Sequence, residues 1–226
     1  MTDLTFSNSA IDRLGKRICE QLTGDDLILL DQYRRSFGSA YDQVVTEVRR
    51  VSGVEVSGRP AKSTASIVGK LRRESVRLSQ MQDMAGCRLV VENRDAQEKV
   101  IKGLVLSNPN AAIFDRRSNP SNGYRAVHLV LTIMDRTVEV QVRTELQHLW
   151  AELSEKLSDK HGIEVKYGGG PHNVWQALHA ASNAIRALEK HESTMIEDPS
   201  WSREFENVKL ELKETLVQAL TKMGKS

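Results

Sequence analysis

Two runs of alternating apolar and polar residues dominate the middle of the chain, residues 124–133 and 137–143. Alternation sorts side chains by face. In the second run Val138, Val140 and Val142 point one way, and Glu139, Gln141 and Arg143 the other. In the first, Tyr124, His128 and Val130 share a face opposite Val127, Leu129 and Leu131. A short connection, Met134, Asp135 and Arg136, predicts that the runs pair as a β-hairpin. Leu146, Leu149, Trp150, Leu153 and Leu157 then recur at helical spacing, so the hairpin feeds a helix over 144–160.

The rest of the chain supplies the partners of this hairpin. A polar arm with a short helix at 10–22 precedes a capping signal at Thr23-Gly-Asp-Asp26. The stripe Leu30, Tyr33, Phe37, Tyr41, Val44, Val48 predicts one long helix ending at Gly53. Short strands are expected at 54–57, 87–92 and 111–116, with helices starting near 63–66 and spanning 95–106. Beyond a break at Gly168-Gly-Gly-Pro171, two further stripes predict helices: Val174, Leu178, Ala181, Ile185, Leu188, and Trp201, Phe205, Val208, Leu212, Leu216, Leu220. Five strands and about six helices make an α/β chain: a mixed β-sheet flanked by helices, with a helical C-terminal appendage. The expected divisions are an N-terminal helical segment (1–52), a core (53–165) and C-terminal helices (166–226).

Composition narrows the class. With 39% hydrophobic and 27% charged residues over 226 positions, the chain is globular and long enough for a sizeable core. A net charge of +2 argues for neither a nucleic-acid nor a membrane partner. No apolar run approaches the roughly 20 residues of a membrane span, and the first residues lack a secretory pattern. Cys19 and Cys87 stand in no metal-ligand spacing, which predicts reduced structural thiols in a cytoplasmic protein.

Candidate chemistry lies in three places. Residues 59–77 carry six basic side chains (59, 62, 70, 72, 73, 77) against Glu74 alone. Lys62, Ser66, Lys70 and Arg73 fall on one side of a helix whose first amides are exposed, an arrangement suited to phosphate. Asp83 precedes a strand in which Gly86 permits close backbone approach and Arg88 alternates with aliphatic neighbours. The polar face of the hairpin gathers an aromatic ring, an imidazole, a carboxylate, an amide and a guanidinium, whereas a merely solvated face would need none of these in particular. Pattern alone reaches a phosphate-ligand protein with metal-capable carboxylates.

Together these motifs resemble the synthetase domain of the RelA/SpoT family of (p)ppGpp synthetases, in particular its single-domain small alarmone synthetases. The resemblance covers residues 50–160 and rests on Arg59, Lys62, Ser66-Ile67 and Lys70-Leu71; on Asp83, Gly86 and Arg88; on Asn122-Gly123-Tyr124 to His128; and on Glu139, Gln141, Arg143-Thr144 with the Trp150-Ala151 pair. It implies a nucleotidyltransferase-like fold and transfer of the β,γ-pyrophosphate of ATP to the 3′-hydroxyl of GDP or GTP, with AMP as co-product. By similarity Arg59 stacks on adenine, and Lys62, Ser66, Lys70 and Arg88 belong to the ATP side. Asp83 and Glu139 hold Mg²⁺, with Glu139 also receiving the hydroxyl proton. Tyr124 stacks on guanine, with Asn122, His128 and Gln141 on the acceptor side.

Three positions depart from the family pattern: the Arg59–Lys62 gap is one residue longer, Pro120-Ser121 replaces a basic residue that Arg116 or Arg117 is expected to supply, and Glu155-Lys156 stands where a histidine is usual. No His-Asp pair of the family's hydrolase is visible. The expected partners are the nucleotides, Mg²⁺ and a second copy of the chain through the C-terminal helices, with no membrane. Two other functions compete: a toxic relative that pyrophosphorylates the 3′ end of tRNA or another nucleotide, and a catalytically inactive nucleotide-binding regulator. A regulator has no need for both Asp83 and Glu139.

Overall fold

The computed structural model describes residues 6–192 and 202–224, which form eight α-helices and five strands. The strands β1 (Val56–Arg59), β2 (Ala85–Val91), β3 (Ala112–Asp115), β4 (Val127–Ile133) and β5 (Arg136–Thr144) make one mixed sheet in the order β1-β2-β5-β4-β3. The hairpin β4–β5 is therefore central to it. Val138, Val140 and Val142 are fully buried, while Glu139 and Gln141 on the alternate positions are half-buried.

By contact the chain divides into two compact units. The first holds the described residues up to Arg88, with Ser107–Ala112 and Leu129–Val140. Helix α1 (Asn8–Glu20) buries Ile11, Leu14 and Ile18 there, and packs on α2 (Gly24–Arg35) and α4 (Thr64–Arg73). The capping signal at residue 23 holds: the Thr23 side chain accepts the Asp26 amide at 3.2 Å.

The predicted long helix is two, α2 and α3 (Gly38–Ser52). At the break the Ser36 hydroxyl donates to the Tyr33 carbonyl at 2.7 Å and accepts from Arg136 Nε at 3.0 Å. The Arg136 guanidinium sits 5.4 Å from the Phe37 ring and 5.9 Å from that of Tyr33. Apolar spacing does not register the break because Leu30, Phe37, Val44 and Val48 are buried throughout. Gly53 ends α3 in the left-handed region, as expected.

The second unit comprises Leu89–Leu106, Ile113–His128 and the described residues from Gln141 on. Here, beside α5 (Arg94–Ser107), the helices α6 (Glu145–His161), α7 (His172–Glu192) and α8 (Ser202–Gly224) enclose a core of Leu146, Trp150, Val174, Leu178, Ile185 and Leu216. The apolar stripe of α7 is thus spent inside the unit. On α8, Leu216 is buried and Leu212 packs on the core, but Val208 is 47% exposed, against expectation; Trp201 lies outside the described residues.

Several strand bounds shift. β1 runs to Arg59 rather than stopping at residue 57. The hairpin turn is two residues, Met134 and Asp135 (φ 49 and 57), so Arg136 belongs to β5. Positive φ at both central residues is what a tight turn of this hand requires, a conformation Asp tolerates better than Met. Tyr124 precedes β4 rather than lying in it. Among the described residues no helix is long and apolar enough to cross a membrane.

Candidate functional site

In the first unit the structure gathers Arg59, Lys62, Lys70 and Asp83. Ser63 caps α4, accepting the Ser66 amide at 3.2 Å, and its hydroxyl lies 2.8 Å from that of Ser66. This leaves Ser66 exposed in the first turn and Lys70 one turn later on the same side. Lys62 is 8% exposed and hydrogen-bonds to one oxygen of Asp83, while Lys70 reaches the other at 3.0 Å. Arg59 Nη2 donates to the Asp83 carbonyl at 2.9 Å. Burial pushes the Asp83 carboxyl up, but the hydrogen bonds and charges of Lys62 and Lys70 outweigh it and hold the group below the usual carboxylate range.

Glu139 lies in the same unit, on β5 against Gly86 of β2. A Cβ at Gly86 would come within 2.9 Å of the Glu139 carbonyl oxygen, so the strand approaches here only because residue 86 has no side chain. The Cys87 thiol is pushed up to about 12, first by burial and then by the Glu139 charge. Arg88 is half-buried on β2, and the Ser57 hydroxyl donates to its carbonyl at 3.3 Å. Asp83 and Glu139 carry the oxygen donors that Mg²⁺ takes, and among the described residues no three acidic, His or Cys side chains are grouped as a metal site. That ion keeps several waters and is usually held by one or two carboxylates plus substrate phosphates. Asp83 and Glu139 would be its protein ligands.

The second unit holds the other set. Residues 121–124 form a tight turn: Asn122 and Gly123 have φ of 50 and 87, and the Tyr124 amide donates to the Ser121 carbonyl at 2.9 Å. The turn aims Tyr124 at His128, with the hydroxyl 2.8 Å from Nε2. Arg143 Nη2 donates to the same hydroxyl at 3.0 Å and to Gln141 Oε1 at 3.0 Å. Arginine only donates, so the tyrosine's own proton is available to an accepting His128 Nε2. Asn122 lies against Gly168, where a Cβ would come within 2.7 Å of its side-chain oxygen.

Arg143, expected on the polar face of the hairpin but given no role of its own by the resemblance, is 6% exposed and holds the Tyr124 hydroxyl. Gly168 shows in the sequence only as part of a break. Of the two arginines expected to stand in for the missing basic residue before Asn122, Arg117 is paired with Asp115 and Glu98, and Arg116 is exposed. Glu155 is paired with Lys166.

Residues 58–164 match the model of the region found in RelA/SpoT proteins. The chain is 31% identical over 154 residues to the GTP pyrophosphokinase YjbM of Bacillus subtilis, covering 61% of this chain and 69% of that protein. The chain belongs to the RelA/SpoT family. To a Mycobacterium tuberculosis protein without an assigned activity it is 36% identical over 118 residues, half of this chain but only 43% of that relative's length. Among solved structures, the B. subtilis small alarmone synthetase 1 bound to its product pppGpp superposes with a TM-score of 0.57 at 25% identity, over 74% of this chain and all of that one. A Streptococcus mutans structure, at 22% identity and a TM-score of 0.55, shares the fold. The α/β fold of this RelA/SpoT-family member is accordingly that of the small synthetases.

Proposed function

We propose that this RelA/SpoT-family chain is a GTP diphosphokinase of the small alarmone synthetase type. It moves the β,γ-pyrophosphate of ATP onto the 3′-hydroxyl of GDP or GTP and releases AMP. The likeness to a small alarmone synthetase seen with pppGpp carries the reading.

In the first unit, Lys62, Ser66, Lys70 and the opening turn of α4 bind the ATP phosphates, with Arg59 and Arg88 completing the donor side. Lys62 and Lys70 already converge on Asp83, so an arriving triphosphate exchanges one anionic partner for another. In the second unit, Tyr124 offers its ring to the guanine, steadied by Arg143 and His128, with Asn122 and Gln141 beside it. The acceptor's 3′-oxygen attacks the β-phosphorus, the bond from that phosphorus to the α,β-bridging oxygen breaks, and AMP leaves with that oxygen. Glu139 receives the hydroxyl proton. Phosphoryl chemistry of this kind needs positioning and charge neutralisation more than covalent help. Mg²⁺ bound to Asp83 and Glu139 would neutralise charge on the transferred group.

Such a reaction belongs in the cytoplasm with its nucleotides. Self-association would use the outer faces of α7 and α8, where Trp175, Val208, Leu210 and Val217 are exposed, since the inner stripes are already covered. The test offers purified chain, Mg²⁺ and ATP with GDP, GTP, GMP or tRNA in turn. Guanosine 3′-pyrophosphates are the expected products. Product on tRNA alone, or none, overturns the proposal.

A further inference from the structure

We infer that Ser182 of α7, outside the segment matched by the family model, is a positioning residue for the acceptor nucleotide, acting through the turn that carries Tyr124. The inference rests on Tyr124 being the platform for the guanine.

Ser182 is 2% exposed and faces the turn. Its hydroxyl donates to the Gly123 carbonyl at 2.6 Å and accepts from Arg125 Nε at 2.9 Å; that Nε also reaches the Ser182 carbonyl at 3.2 Å. Residues 123 and 125 flank Tyr124, so one hydroxyl grips the chain on both sides of the ring. Arg125, 3% exposed, is itself tied to the Arg117 carbonyl. A helical serine ordinarily bonds the carbonyl four residues back. For Ser182 that carbonyl belongs to Leu178, and Trp150 Nε1 occupies it at 2.7 Å.

Trp150 is thereby fixed, and it closes the other side of the turn. A Cβ at Gly123 would stand 2.8 Å from its ring and 3.5 Å from Ser182 Cβ. The left-handed turn thus sits in a slot shaped by α6 and α7. The same face of α7 carries Glu189, seven residues on, which accepts from Thr144 and, at 2.9 and 3.0 Å, from Gln147. Thr144 follows Arg143, the partner of the Tyr124 ring. Both members of the Tyr124–Arg143 pair are therefore anchored, through a neighbouring residue, to one helix face.

The experiment compares the 226-residue chain with its Ser182→Ala variant by hydrogen exchange and by steady-state kinetics. Exchange across residues 121–126 should accelerate. KM for the guanosine acceptor should rise about threefold to tenfold, the size of one lost buried hydrogen bond, with KM for ATP unchanged. Ser182→Cys, close in shape and weak in hydrogen bonding, replaces it if the alanine variant folds poorly. Unaltered exchange overturns the inference, and so does faster exchange with an unaltered acceptor KM, which marks a purely structural serine. A wild-type chain that accepts no guanosine nucleotide defeats the proposed function instead, and exchange alone then decides whether Ser182 sets the turn.

Discussion

Arg143 donates to the Tyr124 hydroxyl at 3.0 Å while its guanidinium carbon stands 5.0 Å from the centroid of the same ring. The contact links the β5 strand to the turn before β4 and orients the aromatic face proposed to receive the guanine. Tyr124→Ala should raise the acceptor KM about fivefold to a hundredfold, the range of base–aromatic stacking, with ATP binding retained. Tyr124→Phe keeps the ring but loses His128 and Arg143, so its effect should be smaller. Equal kinetics for wild type and Tyr124→Ala with GDP and GTP would remove Tyr124 from the acceptor side.

The Asp83 carboxyl, lowered by Lys62 and Lys70 against the opposing effect of burial, makes a prediction about acid. A depressed carboxyl contributes stability that is complete above its unfolded value, 3.8 here, and is lost as pH falls through the lower folded value. Asp83→Asn should therefore melt at a lower temperature near neutrality, because buried Lys62 loses its charge partner, and should show a flatter decline in stability below pH 3.8. Parallel melting curves for the two proteins across the acid range would contradict the pairing.

Gly86 and Glu139 form a tight contact between β2 and β5. Gly86→Ala places a methyl 2.9 Å from a backbone oxygen, so β2 must shift against β5. The expected cost is on the order of 1–3 kcal/mol of stability, as for other overpacked interiors. Glu139→Gln keeps the shape and should leave stability and ATP binding intact while turnover falls on the order of 10²–10³ or more. An alanine at residue 86 without thermal penalty, or a glutamine at 139 with near wild-type turnover, would sink the respective assignment.

Cys87 offers a check on Glu139 that needs no substrate. With its thiol pushed up to about 12, Cys87 should resist thiol reagents at neutral pH until the chain unfolds. Glu139→Gln removes one of the two causes and should lower that value without exposing the residue. Rapid native-state modification of Cys87 would show that the strand contact is looser than described.

Much of the site is legible in the alternation of 127–143, because a side-chain period of two fixes which residues share a face whatever the rest of the chain does. Spacing alone therefore puts Glu139, Gln141 and Arg143 together on the polar face. The α2–α3 break is hidden in the apolar pattern, since both helices keep one buried stripe, and one of its contacts, from Arg136 to Ser36, comes from a hundred residues away. Tyr124 reads as part of the strand because it continues the alternation of His128 and Val130, although the Asn122-Gly123 pair before it is a local signal for the left-handed turn seen there. The contributions of Gly168 and Ser182 arise from contacts far along the chain, and neither residue type carries a local signal for them.

The most direct test of pyrophosphate transfer follows the phosphates of ATP in a reaction with GDP or GTP and Mg²⁺. Label at the β-position should move to the guanosine nucleotide together with label at the γ-position, and label at the α-position should remain in AMP. Transfer of the γ-label alone, with ADP as the other product, would contradict it.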